Sequence, residues 1–378
     1  LEFRRVLFRS GLDITGARSV LEIQSLLAAH ASNNPSGWII GGAYDRGLSP
    51  TNPREVLDEV VSNRPVVLHA DDHHTIWLNT KALEVAGLLT SNLPELNVGR
   101  IDIDENSLPT GILREFEAID LVMTHKPKSS LEADIKALLL ADQLLLEAGI
   151  VEVQDAWIDP GMAEVYLAAS GQLKLDYKLL LRTEPGQLTR NLDYIKSVLE
   201  HDFANTNIKI QGAKFFLDGV FGSATAAVKE PYLSTHSNGD LNWNFEELVE
   251  TISKVHGLGL QSHLHAIGDA AIEFGLDALH QARTGPVSGV IAHAELTSKE
   301  LILKAKNLGV FLVVQPYWAQ YNSMLKSCVQ HLGSVRTESL YAFRDILDSG
   351  VGLAFSSDWP VSKYQPIEGI TVAVHRKS

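Results

Sequence analysis

From residue 129 onward the sequence repeats one unit: a short apolar run, then an amphipathic helical pattern, then a glycine near the next apolar run. This beat constrains the fold more than any other feature. Ser129 and Glu132 have capping-box spacing, and Leu131, Ile135, Leu138 and Leu139 form a stripe at helical period. Gly149 is a helix stop, and the run 150–153 ends at Gln154 and Asp155. Further strands are predicted over 175–181, 208–217, 258–266, 289–294, 310–314 and 351–355. Helix starts are predicted at Asn244 with Glu247 and at Thr297 with Glu300. Apolar runs without alternation fit parallel strands buried on both faces. Repeated strand–helix alternation predicts a parallel α/β sheet.

Such a sheet is either open and doubly wound or closed as a barrel. The polar residues at the predicted strand ends discriminate: Asp155, Lys214, Asp218, His263, His265, His293 and Asp358. A barrel gathers all strand C-termini into one ring, where active sites sit. An open sheet gathers ligands at one switch point. Chemistry on so many strand ends predicts a (β/α)8 TIM-type barrel. Eight strands are required and the pattern supplies seven, so the barrel is expected to be incomplete, with its first strand missing. No Gly-x-Gly-x-x-Gly follows an early strand, which counts against a doubly wound nucleotide fold.

Residues 11–128 do not follow the beat. A helix is expected over 20–31, a strand over 65–69 and a helix over 78–86, with 109–113 a turn into a short segment. The region reads as an insertion following the missing first strand, with 129–378 as strands two to eight. Residues 1–10, LEFRRVLFRS, carry Arg4, Arg5 and Arg9 without cap or turn signal, and read as a non-native leader.

Composition closes several classes. The net charge is −14, and no dense basic cluster lies beyond the first ten residues, which speaks against nucleic-acid binding. No run of 18 or more apolar residues occurs, so no helix is expected to span a membrane, and a cytoplasmic location is the default expectation. Cys328 is the one cysteine, which excludes a disulfide framework and a cysteine zinc site.

Lys214, His265, His293 and Asp358 each end a different predicted strand. Imidazole and carboxylate suit zinc and similar divalent ions. Any one of them alone reads as an ordinary hydrogen-bonded or capping residue; the four in register point to a site. A lysine among metal ligands needs an explanation, either a carbamate on its amine or a carboxylate partner. His263 and His265 share one strand face, since strands repeat every two residues. His265 is assigned to the metal, leaving His263 as a second contact or a packed histidine. Trp318, Trp359 and Tyr317 either line an apolar pocket or pack the core.

These residues sit in longer motifs. Residues 259–269 read GLQSHLHAIGD, 214–219 read KFFLDG, 223–227 read SATAA, 291–295 read IAHAE and 357–361 read SDWPV. Together with Trp77-Leu-Asn-Thr-Lys-Ala-Leu83 after His74, and Pro109-Thr-Gly111, they resemble amidohydrolase family 3, the YtcJ-like group that includes N-substituted formamide deformylases. The resemblance spans nearly the whole chain. It implies a metal-dependent hydrolase acting on carbon–nitrogen bonds other than peptide bonds. It implies one or two divalent ions, zinc first, with Lys214, His265 and His293 as ligands and Asp358 as ligand and general base. His74, Asp218, His263 and Trp318 are expected to touch substrate or support the ligands. A small-molecule substrate and a homodimer are the expected partners. Two departures stand out. Family members carry a His-x-His at the first barrel strand, where residues 1–10 stand here, and they continue beyond Arg376 into a small β-sandwich. The chain is therefore expected to be a fragment, with its own activity in question. Ala224 stands where the family has a basic residue, and His73 where it often has glycine. A catalytically inactive barrel serving as a binding or regulatory protein is the alternative.

Overall fold

The computed structural model describes residues 11–45, 47–48, 50–70, 74–96, 99–282, 289–321 and 323–375. The expectations for residues 1–10, His73 and Arg376 fall outside these residues. The chain divides into two compact units at Ser129 and Ser130.

The first unit is a six-stranded sheet in the order β1-β2-β3-β4-β6-β5. Its strands are β1 (Leu12–Asp13), β2 (Ile39–Tyr44), β3 (Val66–Ala70), β4 (Thr75–Leu78), β5 (Arg100–Ile103) and β6 (Pro109–Arg114). β1, β2 and β3 run parallel, and the remaining pairs are antiparallel. β3 shows why its run is largely apolar. Val66, Leu68 and Ala70 enter one core with Ile23, Leu27 and Leu57, while Val67 enters the other with Leu83, Leu113 and Val122. Among the described residues its helices are α1 (Val20–Asn33), α2 (Pro53–Asp58), α3 (Thr80–Val85) and α4 (Phe116–Met123). The helix expected from residue 78 begins later, because Trp77 and Leu78 belong to β4. Asn79 then caps α3, its side chain accepting from the Ala82 and Val66 N–H groups. The segment after Pro109 is a paired strand where a turn was expected.

The second unit opens with α5 (Leu131–Glu147), capped by Ser130, whose hydroxyl accepts from Ala133 N–H. The expected cap was Ser129. Seven parallel strands follow in strict chain order, β7 to β13. They are β7 (Glu152–Ile158), β8 (Asp176–Arg182), β9 (Ile208–Phe216), β10 (Gln261–Ala266), β11 (Gly289–His293), β12 (Phe311–Val314) and β13 (Leu353–Phe355). Between them lie α6 (Met162–Ala169), α7 (Leu188–Leu199), α8 (Phe245–Gly257), α9 (Asp269–Gln281), α10 (Lys299–Leu308), α11 (Ser323–Leu332), α12 (Ser334–Glu338) and α13 (Phe343–Ser349), and α14 (Pro366–His375) follows β13. A doubly wound sheet must reverse its strand order at a switch point. This order never reverses, which is the arrangement of a barrel wall. Among the described residues β7 and β13 each pair on one edge, so the sheet is open there.

Candidate metal centre

The strand register assembles the candidate side chains row by row. Arg182, Lys214, His263 and Val290 stand side by side across β8 to β11. The next row toward the strand ends holds Phe216, His265 and Ala292. Pleat alternation puts all of these on one face. By the same rule His293 falls beside Ala266, on the opposite face from His265. The backbone overrides the rule. His293 and Ala294 adopt left-handed conformations, with φ of 76° and 46°. Their turn brings the His293 ring to 4.6 Å from His265, edge to face. Asp358 and Ala224 are also left-handed, at 50° and 57°. Non-glycine strain of this kind costs on the order of 1–3 kcal/mol each and collects at functional sites.

Each histidine has one nitrogen engaged by an oxygen. His265 Nε2 donates to the Gly219 carbonyl at 3.0 Å, with Asp218 Oδ1 3.5 Å away. His293 Nδ1 donates to Gln315 Oε1 at 2.7 Å. A neutral imidazole that donates through one nitrogen presents a lone pair on the other. In that form the lone pair is on Nδ1 of His265 and on Nε2 of His293. Both rings are nearly fully buried, so their orientation is held by packing as well. The Trp318 ring lies flat on His293, 4.9 Å away and tilted by 5°.

Lys214 is 3% exposed, and its ammonium lies 4.9 Å over the Phe216 ring, which in turn packs 5.3 Å from His265. His263 is buried, and its Nδ1 finds no hydrogen-bond partner. Burial pushes this imidazole well below its ordinary pKa, with the Lys214 charge adding to the shift, so it is held neutral. Asp218 is fully buried. Its carboxylate accepts from Ala227, Ile267 and Gly268 N–H at 3.0, 3.1 and 2.9 Å, which ties the loop after β9 to the end of β10. Asp358 is half-buried on the turn after β13.

Two further residues of the sequence reading have partners of their own. His74 belongs to the first unit, where its Nδ1 meets Glu115 Oε2 at 2.7 Å. Asp155 was expected at a strand end, but β7 runs on to Ile158, so Asp155 is mid-strand. Its carboxylate accepts from the Tyr166 hydroxyl of α6 at 2.7 Å. Among the described residues no three His, Cys, Asp or Glu side chains stand close enough to hold an ion. The donors that fit a metal are therefore a pair of pre-oriented imidazoles, with Lys214 in the adjoining row.

A profile of the amidohydrolase family matches residues 6–378. The chain belongs to this amidohydrolase family. The chain is 29% identical to YtcJ, a putative amidohydrolase of Bacillus subtilis, over 90% of its own length and 64% of YtcJ, so it spans less than two thirds of that relative. It is 26% identical to an N-substituted formamide deformylase of Arthrobacter pascens, covering 94% of this chain and 68% of the deformylase. A metal-dependent hydrolase of Pyrococcus horikoshii, itself uncharacterised, superposes with a TM-score of 0.76 at 26% identity, covering 100% of this chain and 73% of that one.

Sequence reasoning missed Gln315, the Gly219 carbonyl and Glu295, whose carboxylate accepts from Tyr341 at 2.7 Å. Gln315 was legible as a polar residue ending a strand. A backbone carbonyl leaves no signal in sequence.

Proposed function

We propose that this amidohydrolase hydrolyses a carbon–nitrogen bond of a small molecule, of the non-peptide amide or formamide type, with one or two divalent ions, zinc first. The observation that carries the reading is the His265–His293 pair, 4.6 Å apart, each ring with one nitrogen committed to an oxygen. His265 Nδ1 and His293 Nε2, with Lys214 in the adjoining row, would hold the ion. When bound, such an ion polarises a carbonyl and lowers the pKa of water from 15.7 toward about 7.

The protein's own groups supply the rest. Asp358 carries the carboxylate that takes a proton from the attacking water and returns it to the leaving nitrogen. Lys214 enters the ligand set as a carbamate, since a bare ammonium repels a cation; the neutral amine adds carbon dioxide and releases one proton. Trp318 bounds the space beside His293 with an apolar face. Family membership and the Arthrobacter relative support the carbon–nitrogen bond, and the uninterrupted strand order supports a barrel in which one further strand, the first, would stand between β13 and β7.

Metal content of the purified protein, measured by mass spectrometry after dialysis, tests the reading together with amine release from a panel of N-substituted formamides. Near-stoichiometric metal that His265→Ala and His293→Ala each abolish is expected. No bound metal and no hydrolysis would sink it in favour of a non-catalytic binding barrel.

A further inference from the structure

We infer that Gln315 is the positioning residue that selects the tautomer of His293 and couples it to the turn bearing Asp358. Gln315 directly follows β12 and is 3% exposed. Its amide is used at both ends. Oε1 accepts from His293 Nδ1 at 2.7 Å, and Nε2 donates to Ser356 Oγ at 2.7 Å. Nε2 also faces the Val313 carbonyl at 3.4 Å. A primary amide has distinct donor and acceptor ends. With Nε2 directed at Ser356, the end facing His293 is the acceptor, and His293 must donate from Nδ1. The lone pair on Nε2 follows.

The same short segment fixes the ring plane. Pro316–Ala319 forms a 3-10 turn, and Trp318 N–H donates to the Gln315 carbonyl at 3.1 Å. That turn lays the Trp318 ring on His293. Gln315 thus sets which nitrogen donates, and Trp318 sets where the ring lies. Ser356 in turn donates its N–H to the Val314 carbonyl and stands two residues before Asp358. The relay from His293 through Gln315 to Ser356 joins the ends of β11, β12 and β13 by side chains as well as by the sheet ladder. The inference deepens the proposed function but does not depend on it, because the tautomer is a property of the metal-free protein.

The test is long-range nitrogen–proton NMR of histidine-labelled protein, with the His293 signal assigned from its loss in His293→Ala. The Nδ1–H tautomer is expected in the wild type. Gln315→Glu keeps the acceptor and should keep that tautomer. Gln315→Met keeps the bulk, removes the acceptor, and should make Nδ1–H a minority. If Gln315→Met fails to fold, Ser356→Ala loosens the anchor of the amide and should shift the tautomer in the same direction. Zinc affinity, read by chelator competition, should fall about 10–100-fold in Gln315→Met and recover in Gln315→Glu. A wild-type Nε2–H tautomer, or one unchanged in both Gln315→Met and Ser356→Ala, overturns the inference. Tautomers that behave as expected in a protein taking up no zinc support the role of Gln315 and refute the metal reading.

Discussion

Replacing Asp218 tests how the site is held. Its carboxylate is completely buried and accepts three backbone N–H groups, from Ala227, Ile267 and Gly268. Asp218→Ala leaves those donors buried and unsatisfied, at about 1–3 kcal/mol each, so a loss of about 4–5 kcal/mol is expected once some relaxation is allowed. Asp218→Asn behaves differently. An oxygen kept at the Oδ2 position still accepts from Ala227 and Gly268, at 3.0 and 2.9 Å. The new amide NH2 then replaces Oδ1 and meets two donors, Ile267 N–H and His265 Nε2–H. About 2 kcal/mol should be lost, from one missing bond and the missing charge. Urea unfolding followed by tryptophan fluorescence gives the totals, and hydrogen exchange at residues 226–228 and 266–268 gives the local opening. Protection should fall in the order wild type, Asp218→Asn, Asp218→Ala. Equal stability of the two variants, or an alanine variant within about 1 kcal/mol of wild type, would refute the assignment of these bonds to the carboxylate.

Two further outcomes follow from packing and charge. An added Cβ at Gly268 would lie 1.9 Å from the Ala227 carbonyl oxygen, so Gly268→Ala should cost about 2–3 kcal/mol, seen as a lowered Tm. Burial holds His256 below its ordinary imidazole pKa, so the unfolded chain takes up the proton first as pH falls. Stability should therefore decline below about pH 6.5, and His256→Gln should flatten that decline by up to one proton in urea titrations at several pH values.

Much of the second unit was legible because its signals are local. A run of apolar residues bounded by a cap and a glycine needs no knowledge of its neighbours, and the seven strands appear where those runs predict them. Strand length was less legible. β7 continues past Asp155, since the run's own polar residues do not mark where pairing with β8 stops. The first unit was read poorly for the same reason: β4, β5 and β6 are short, and their antiparallel pairing is decided across the sheet.

The candidate site divides in the same way. The sequence by itself determined that His263 and His265 face one way, because a strand keeps a period of two, whereas the pairing of β9 with β10 put Lys214 on the same face. It could not determine that His293 joins them. Alternation assigns His293 to the other face, and the left-handed turn at His293 and Ala294 reverses that. Nor could it reveal which nitrogen each imidazole presents, since that depends on the Gly219 carbonyl and the Gln315 amide, brought in from other strand ends. Local patterning settles which face a side chain occupies; the ring's tautomer and aim are set by partners that only the folded sheet brings within hydrogen-bond reach.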